Sequence, residues 1–231
     1  MKIALLGYGR MGKAIELIAM KRGHEIIAKI DIEKSGNIKN ADIAINFSTP
    51  STAVKNIKNA IINSIPVVSG TTGWMKDYNK IEKLALNSGV GFLYSPNFSI
   101  SVNLFFELNK SLAKLMKSEK YSTEVNEKHH FQKVDSPSGT SISLANDIIS
   151  NSNYKKWSLE KTGNNILKIS SSREGDIHGI HEVIYNSEFD KISINHESYS
   201  RVSYAIGAVI AAEWLMGRIG VYSMSDLLNS K

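Results

Sequence analysis

The 231-residue chain predicts an α/β fold in two parts: a parallel sheet covered by helices, then a smaller α+β domain with a mixed sheet. Three observations predict it. Short β-rich runs alternate with helix-like stretches through the first hundred residues. A glycine turn follows the first of those runs, and after one long helix the pattern changes to successive β-rich runs. Strand–helix alternation implies parallel pairing, because parallel neighbours need crossover connections.

Taken in order, strands are expected at 2–6, 25–30, 42–47, 66–69 and 90–94, with helices at 10–22, 51–63 and 75–87. A long helix is expected at 101–117 with Ser101 placed to cap it. Strands at 121–129, 166–171, 178–185 and 191–196 follow, interrupted by a helix at 141–150. They read as a mixed, largely antiparallel sheet. The polar stretch 151–165 reads as a flexible insertion. Residues 200–217 read as a final helix followed by a short tail.

Composition excludes several classes. At 42% hydrophobic and 22% charged, the chain is ordinary for a soluble globular protein. The absence of cysteine excludes disulfides and thiolate metal sites, and fits a reducing compartment. The apolar run that starts at Met1 is shorter than a signal peptide needs. The longest apolar stretch, 204–216, is interrupted by Glu213 and falls short of the roughly 20 residues of a membrane span. The net charge of +6 would suit nucleic acid, but the lysines are scattered, and the group Lys29, Lys34 and Lys39 is mixed with Asp31 and Glu33. A solvated lysine-rich surface explains the charge, so no nucleic-acid or membrane partner is expected.

Gly7-Tyr8-Gly9-Arg10-Met11-Gly12 is a G-x-G-x-x-G turn directly after a strand and opening a helix. In that context it points to a dinucleotide: the glycines allow close backbone approach, and the helix N-terminus faces a pyrophosphate. Asp31 ends the second strand, where an acid would bond ribose hydroxyls; a solvated loop acid is the plain alternative. Ser69-Gly70-Thr71-Thr72-Gly73 and Ser95-Pro96-Asn97-Phe98-Ser99 end the fourth and fifth strands. Both therefore lie at the carboxyl edge shared with the glycine turn, with hydroxyls and amides suited to a carboxamide ring.

The segment from Glu127 to Thr140 holds two imidazoles, a lysine and a Ser-Gly-Thr turn ahead of a helix. His129 and His130 suit general acid chemistry, since imidazole titrates near neutrality. Adjacent strand residues point to opposite faces, and H-E-x-x-H is absent, so no metal is expected. In a continued strand His129 and Lys133 would be about 13 Å apart, so the strand should end near His130. The amides of Ser138, Gly139 and Thr140 would receive a carboxylate at the positive end of a helix, with Lys133 adding a charge-assisted bond. Each feature has a plain alternative, an N-cap or a satisfied imidazole. Their co-occurrence argues for a site binding a small carboxylated substrate.

The chain resembles the 4-hydroxy-tetrahydrodipicolinate reductase (dihydrodipicolinate reductase) family over nearly its full length. The resemblance rests on Gly9-Arg10-Met11-Gly12, Asn46-Phe47-Ser48-Thr49-Pro50, Gly70-Thr71-Thr72-Gly73, Pro96-Asn97-Phe98-Ser99, the segment from His129 to Thr140, and Ser200-Arg201 with Gly207-Ala208-Val209 and Trp214-Leu215. It implies a Rossmann-type dinucleotide-binding domain over 1–99 and 200–231, and a substrate-binding and oligomerisation domain over 100–199. It further implies a cytoplasmic homotetramer that uses NADH or NADPH to reduce a small cyclic dicarboxylate to tetrahydrodipicolinate and water, in diaminopimelate and lysine biosynthesis.

Carried over, His129 is the proton donor and acceptor and Lys133 the second donor; His130, Ser138, Gly139 and Thr140 bind substrate. Gly7, Tyr8, Gly9, Arg10, Met11, Gly70, Thr71, Thr72, Ser95, Pro96, Asn97 and Phe98 hold the cofactor. The chain departs from the family in its short length and in a glycine turn shorter than the common G-x-x-G-x-x-G. Ile32, rather than an arginine, follows Asp31, which implies a lean toward NADH that Arg10 and Lys34 would soften. The alternatives are another two-domain nicotinamide-dependent amino-acid dehydrogenase, which gives no reason for the His129–Thr140 segment, and a non-catalytic dinucleotide sensor.

Overall fold

The computed structural model describes residues 1–31, 36–161 and 163–230. Ile32 and Lys34, invoked above for cofactor preference, lie outside the described residues. In chain order the elements are β1 (Lys2–Leu6), α1 (Arg10–Lys21), β2 (Glu25–Ile30), β3 (Ile43–Asn46), α2 (Pro50–Ile62), β4 (Val67–Ser69), α3 (Tyr78–Ser88) and β5 (Gly91–Tyr94). There follow α4 (Ile100–Met116), β6 (Ser122–His129), α5 (Gly139–Asn151), β7 (Lys156–Ser158), β8 (Ile166–Arg173), β9 (Ile180–Asn186) and β10 (Lys191–Glu197). The last are α6 (Val202–Leu215), β11 (Gly220–Tyr222) and α7 (Met224–Asn229). The chain divides into two compact units, Met1–Ile100 with Val202–Lys231, and Ser101–Arg201.

The first unit is built on a six-stranded sheet of order β11-β5-β4-β3-β1-β2, parallel throughout. Its strands are apolar on both faces because helices cover both. Ile3 and Leu5 of β1, Ile43 and Ile45 of β3, Val68 and Leu93 pack with α1, α6 and α7. Their strand neighbours Ala4, Leu6, Ala44, Val67 and Phe92 pack with α2 and α3 on the other face. Each large aliphatic buried this way stabilises the fold by about 1.5–3 kcal/mol. Helix α6 is buried along most of its length, so it is apolar nearly all round. Parallel pairing brings the turns after β1, β3, β4 and β5 to one edge.

Two expectations change here. The segment after α6 is no tail: β11 pairs with β5 as the sixth strand, and Ser223 caps α7 in a capping box with Asp226. Ser101 is not a cap, because α4 already begins at Ile100; its hydroxyl instead bonds the His196 ring at 2.9 Å.

The second unit holds a five-stranded sheet of order β10-β9-β6-β8-β7. It is evenly mixed rather than largely antiparallel: β10/β9 and β9/β6 are antiparallel, β6/β8 and β8/β7 parallel. The parallel pair β6/β8 is possible because α5 lies between them in the chain and covers the sheet. The expected flexible insertion contains β7, which forms the edge. One face of the sheet carries Val125, Leu167, Ile169, Val183 and Tyr185 against Phe105 and Ala113 of α4 and Leu144, Ala145 and Ile148 of α5.

Candidate active site

In the first unit, β1 runs into Gly7, whose backbone takes φ +99 and whose N–H bonds the Ile30 carbonyl at 2.8 Å. A Cβ there would meet the Phe47 carbonyl oxygen at 2.2 Å, and one at Gly12 would meet the Gly7 oxygen at 2.4 Å. Both glycines are thus demanded by the fold. Gly9 is different: it is the N-cap of α1 with φ −78, and a Cβ there would meet nothing within 4 Å. Among the described residues nothing near Gly9 requires glycine at that point, so the helix N-terminus is open to the close approach of a ligand. α1 has no side-chain cap and no acidic residue in its first turn, so its positive end is unneutralised.

Gly9, Arg10 and Met11 share a cavity of about 360 Å³ with Gly70, Thr71, Thr72, Phe47 and Ser48. A second cavity of about 1010 Å³ is lined by Gly7, Tyr8, Gly9 and Asp31 on one side and by Thr52, Lys55, Lys58 and Asn59 of α2 on the other. The residues present therefore fit a dinucleotide. The Thr71 hydroxyl accepts from Asn46 Nδ2 at 3.2 Å and from the Ser48 N–H at 2.8 Å, and its carbonyl accepts from Trp74 Nε1 at 2.6 Å. These bonds fix the 70–72 turn. Gly70 is required because a Cβ would strike the Phe47 ring at 2.3 Å. The 95–98 turn is tied in by the Ser95 N–H to the Ser69 carbonyl at 3.2 Å, the Ser95 hydroxyl to the Asn97 carbonyl at 2.7 Å, and Phe98 against Phe47 at 5.5 Å between ring centroids. Tyr8 donates its hydroxyl proton to Glu16, which pairs with Lys29 at 2.6 Å. The α2 lysines were not anticipated from sequence, since nothing local in a surface helix marks which face borders a cavity.

In the second unit, the face that is apolar along most of the sheet turns polar toward the end of β6. The alternation that buries Thr123 and Val125 also points Glu127 and His129 inward. Register sets Ser171 and Arg173 of β8 beside them, and His181 of β9 opposite Glu127. β6 ends at His129; the chain then turns, with the His130 N–H bonded to the Ile177 carbonyl at 2.7 Å and the Lys133 N–H to the His130 carbonyl at 3.1 Å.

Glu127 is the hub, with a side chain that has no exposure. Its oxygens accept from the Ser138 N–H at 3.0 and 3.1 Å, from the Ser141 and Ser171 hydroxyls at 2.6 Å each, and from Arg173 Nη1 at 3.4 Å. Burial alone would raise its pKa; the bonds from Ser138, Ser141 and Ser171 overcome this and hold it at about 2. His129 Nδ1 lies 3.9 Å and His181 Nε2 3.8 Å from the same carboxylate, and the two rings are 5.0 Å apart. Burial pushes both imidazoles toward neutrality, His181 to about 3. The three side chains bring donor atoms within 4.8 Å of one another, a spacing that could hold a divalent ion. The carboxylate is already satisfied by protein donors and faces a guanidinium, so we read the cluster as a hydrogen-bond centre.

Helix α5 begins at Gly139, so Gly139 and Thr140 form its first turn rather than a turn ahead of it. Ser138 is the N-cap: its hydroxyl accepts from the Ser141 N–H at 3.2 Å and bonds His181 Nε2 at 3.1 Å. The Ser138 amide is given to Glu127, which removes it from the set expected to receive a carboxylate. Helix geometry leaves the Gly139 and Thr140 N–H groups without an intrahelical acceptor, and open space lies beside the exposed Gly139. Lys133 Nζ is paired with Asp135 at 2.7 and 2.8 Å. Arg173 holds that loop, donating to the carbonyls of Lys133 at 3.2 Å and Asp135 at 2.5 Å. His130 Nδ1 is buried without a protein partner among the described residues. Glu127, Ser171, Arg173 and His181 were missed from sequence; the one available signal was the period-two spacing of Glu127 with His129 and of Ser171 with Arg173.

Two family models match the chain: "Dihydrodipicolinate reductase, N-terminus" over residues 1–98 and "Dihydrodipicolinate reductase, C-terminus" over residues 101–228. A 4-hydroxy-tetrahydrodipicolinate reductase of Christiangramia forsetii is 46% identical, covering 99% of this chain and 98% of the relative. One of Rickettsia rickettsii is 37% identical, covering 95% of each. Among solved structures, the dipicolinate-bound dihydrodipicolinate reductase of Paenisporosarcina sp. TG-14 shares the fold with a TM-score of 0.81 at 20% identity, over 97% of this chain and 98% of that one. On these matches, which span both units, the chain belongs to the dihydrodipicolinate reductase family.

Proposed function

We propose that the protein reduces 4-hydroxy-tetrahydrodipicolinate to tetrahydrodipicolinate and water with NADH or NADPH, a step of diaminopimelate and lysine biosynthesis. The observation that carries the reading is the gathering of His129, the Lys133 loop and the open amides of Gly139 and Thr140 around one ionised carboxylate. That set combines a proton donor with anion-binding groups, as reduction of a cyclic dicarboxylate requires.

In this reading Gly7, Tyr8, Gly9, Arg10 and Met11 hold the pyrophosphate at the α1 N-terminus, and Asp31 bonds the ribose hydroxyls. The 70–72 and 95–98 turns hold the nicotinamide end. A bound nicotinamide supplies the hydride. The Gly139 and Thr140 amides bind a substrate carboxylate at the positive end of α5, helped by the Ser138 cap and by His130. Lys133 exchanges its exposed partner Asp135 for a substrate carboxylate, an exchange of one ion pair for another. His129 supplies the proton that the balance demands: hydride and proton enter, and the hydroxyl leaves as water. Burial holds its proton affinity down, so once protonated it gives that proton up readily.

The test is oxidation of the nicotinamide followed at 340 nm, with substrate generated in situ by the preceding synthase from pyruvate and aspartate semialdehyde. Turnover that needs the synthase product is expected; its absence with cofactor bound sinks the reading. His129→Gln should lower kcat by about 10²–10⁴-fold with cofactor affinity kept. Asp31 disfavours a 2′-phosphate, so kcat/KM should favour NADH, and a strong NADPH preference refutes that part. A homotetramer belongs to the same reading, supported by the open edge that β10 presents; sedimentation showing a monomer would remove it.

A further inference from the structure

We propose that Glu127 is a positioning residue for this reaction: it ties the first turn of α5 and the 133–135 loop to the end of β6, and it places one negative charge beside His129. The inference rests on the reductase reading above. Three observations support it.

The first is where the donors come from. Ser138 and Ser141 belong to the start of α5, Ser171 and Arg173 to β8, and all four reach the Glu127 carboxylate. Arg173 continues to the carbonyls of Lys133 and Asp135. One side chain thus sets the relative placement of the anion-binding amides, the lysine and the histidine.

The second is that folding does not ask for a charge here. The same sheet face is filled two residues earlier by Val125 with Ile169 and Val183. Burying a carboxylate costs several kcal/mol before its partners compensate, and apolar replacements for buried ion pairs are often neutral or stabilising. A fully enclosed carboxylate with this many donors is therefore better explained by what it holds than by stability.

The third is the field at His129. Glu127 from its own strand, Arg173 from β8, His181 from β9 and Lys133 and Asp135 from the following loop all face it. Burial, Lys133 and Arg173 resist protonation; Glu127 and Asp135 favour it, Glu127 more strongly. Without the Glu127 charge the proton would leave His129 at lower pH.

Glu127→Gln and Glu127→Asp in the full chain would be compared with wild type for kcat, KM and kcat/KM between pH 4.5 and 8.5, with cofactor Kd and thermal stability measured alongside. With His129 as proton donor, activity falls as pH rises through its titration. Glu127→Gln should move that alkaline limb to lower pH by about 1 unit or more, raise substrate KM and leave cofactor Kd unchanged. Glu127→Asp keeps the charge, so its limb should stay in place while KM rises. A Glu127→Gln enzyme that is slower but keeps the wild-type limb would overturn the proposal, since a merely structural role moves rate and stability without moving the profile. Should Glu127→Gln fail to fold, Ser171→Ala removes one donor only; it should raise KM several-fold, and an unchanged KM refutes the positioning claim. Wild-type turnover in the same assay separates the two readings: with turnover and an unmoved limb this inference falls alone, and without turnover both fall.

Discussion

Gly207→Ala tests how the buried helix α6 supports the cofactor end. A Cβ at Gly207 would lie 1.7 Å from the carbonyl oxygen of Phe98 and 2.8 Å from its carbonyl carbon, whereas real Cβ contacts essentially never fall below 3.0 Å. More than 1 Å of movement is needed. The neighbour is backbone, so no rotamer change relieves the clash. Ala205, Ala208, Val209, Ala211 and Ala212 are all fully buried, so α6 cannot back away without opening voids against the sheet. The cost should sit at the upper end of the overpacking range, about 3 kcal/mol. For a chain of this size that corresponds to a fall in Tm of about 6–12 °C. The strain falls on the 95–98 turn, so cofactor affinity should weaken together with stability. Thermal denaturation and fluorescence titration with NADH measure both. A variant with Tm within about 2 °C of wild type and unaltered cofactor Kd would refute the packing argument.

Gly9→Ala should behave in the opposite way, because its Cβ meets no protein atom and φ is −78. Stability should hold or rise slightly while cofactor affinity drops at least tenfold; unchanged affinity would remove the dinucleotide from that turn. Acid should weaken the fold. His181 is held at about 3, below the 6.5 of a free imidazole, by burial first and by His129 second. Its contribution is complete above pH 6.5 and is lost as pH falls toward 3. Glu127, held at about 2 against 4.5, adds stability above pH 4.5 that is lost as pH falls toward 2. Together they amount to several kcal/mol. His181→Asn should flatten the acid limb of urea-measured stability between pH 6.5 and 4, and a variant as acid-sensitive as wild type would exclude His181 as its source.

The parallel sheet was legible because its elements carry clear signals: β1 is a continuous apolar run entering a glycine turn, and α1 and α2 repeat their buried positions Ile15 and Ala19, Ala53 and Ile57 at helical spacing. β7 and β11 escaped because their pairing with β8 and β5 is decided by partners elsewhere in the chain. The start of α4 was misplaced by one residue, a margin within which serine signals near a helix end do not discriminate. The site split along the same line. His129, Lys133 and Gly139 are close in sequence and were read together. Ser171 and Arg173 reach Glu127 across separations of 44 and 46 residues, and only strand register brings them there. Sequence also assigned the Ser138 amide to a ligand, because the buried acceptor that takes it sits on another element.

The most direct test of the central claim is the fate of the hydride. With NADH deuterated at the transferable C4 position and substrate supplied by the synthase, the account predicts tetrahydrodipicolinate one mass unit heavier, formed in step with cofactor oxidation and suppressed in His129→Gln. Cofactor oxidation with unlabelled product, or no product while cofactor remains bound, would contradict it.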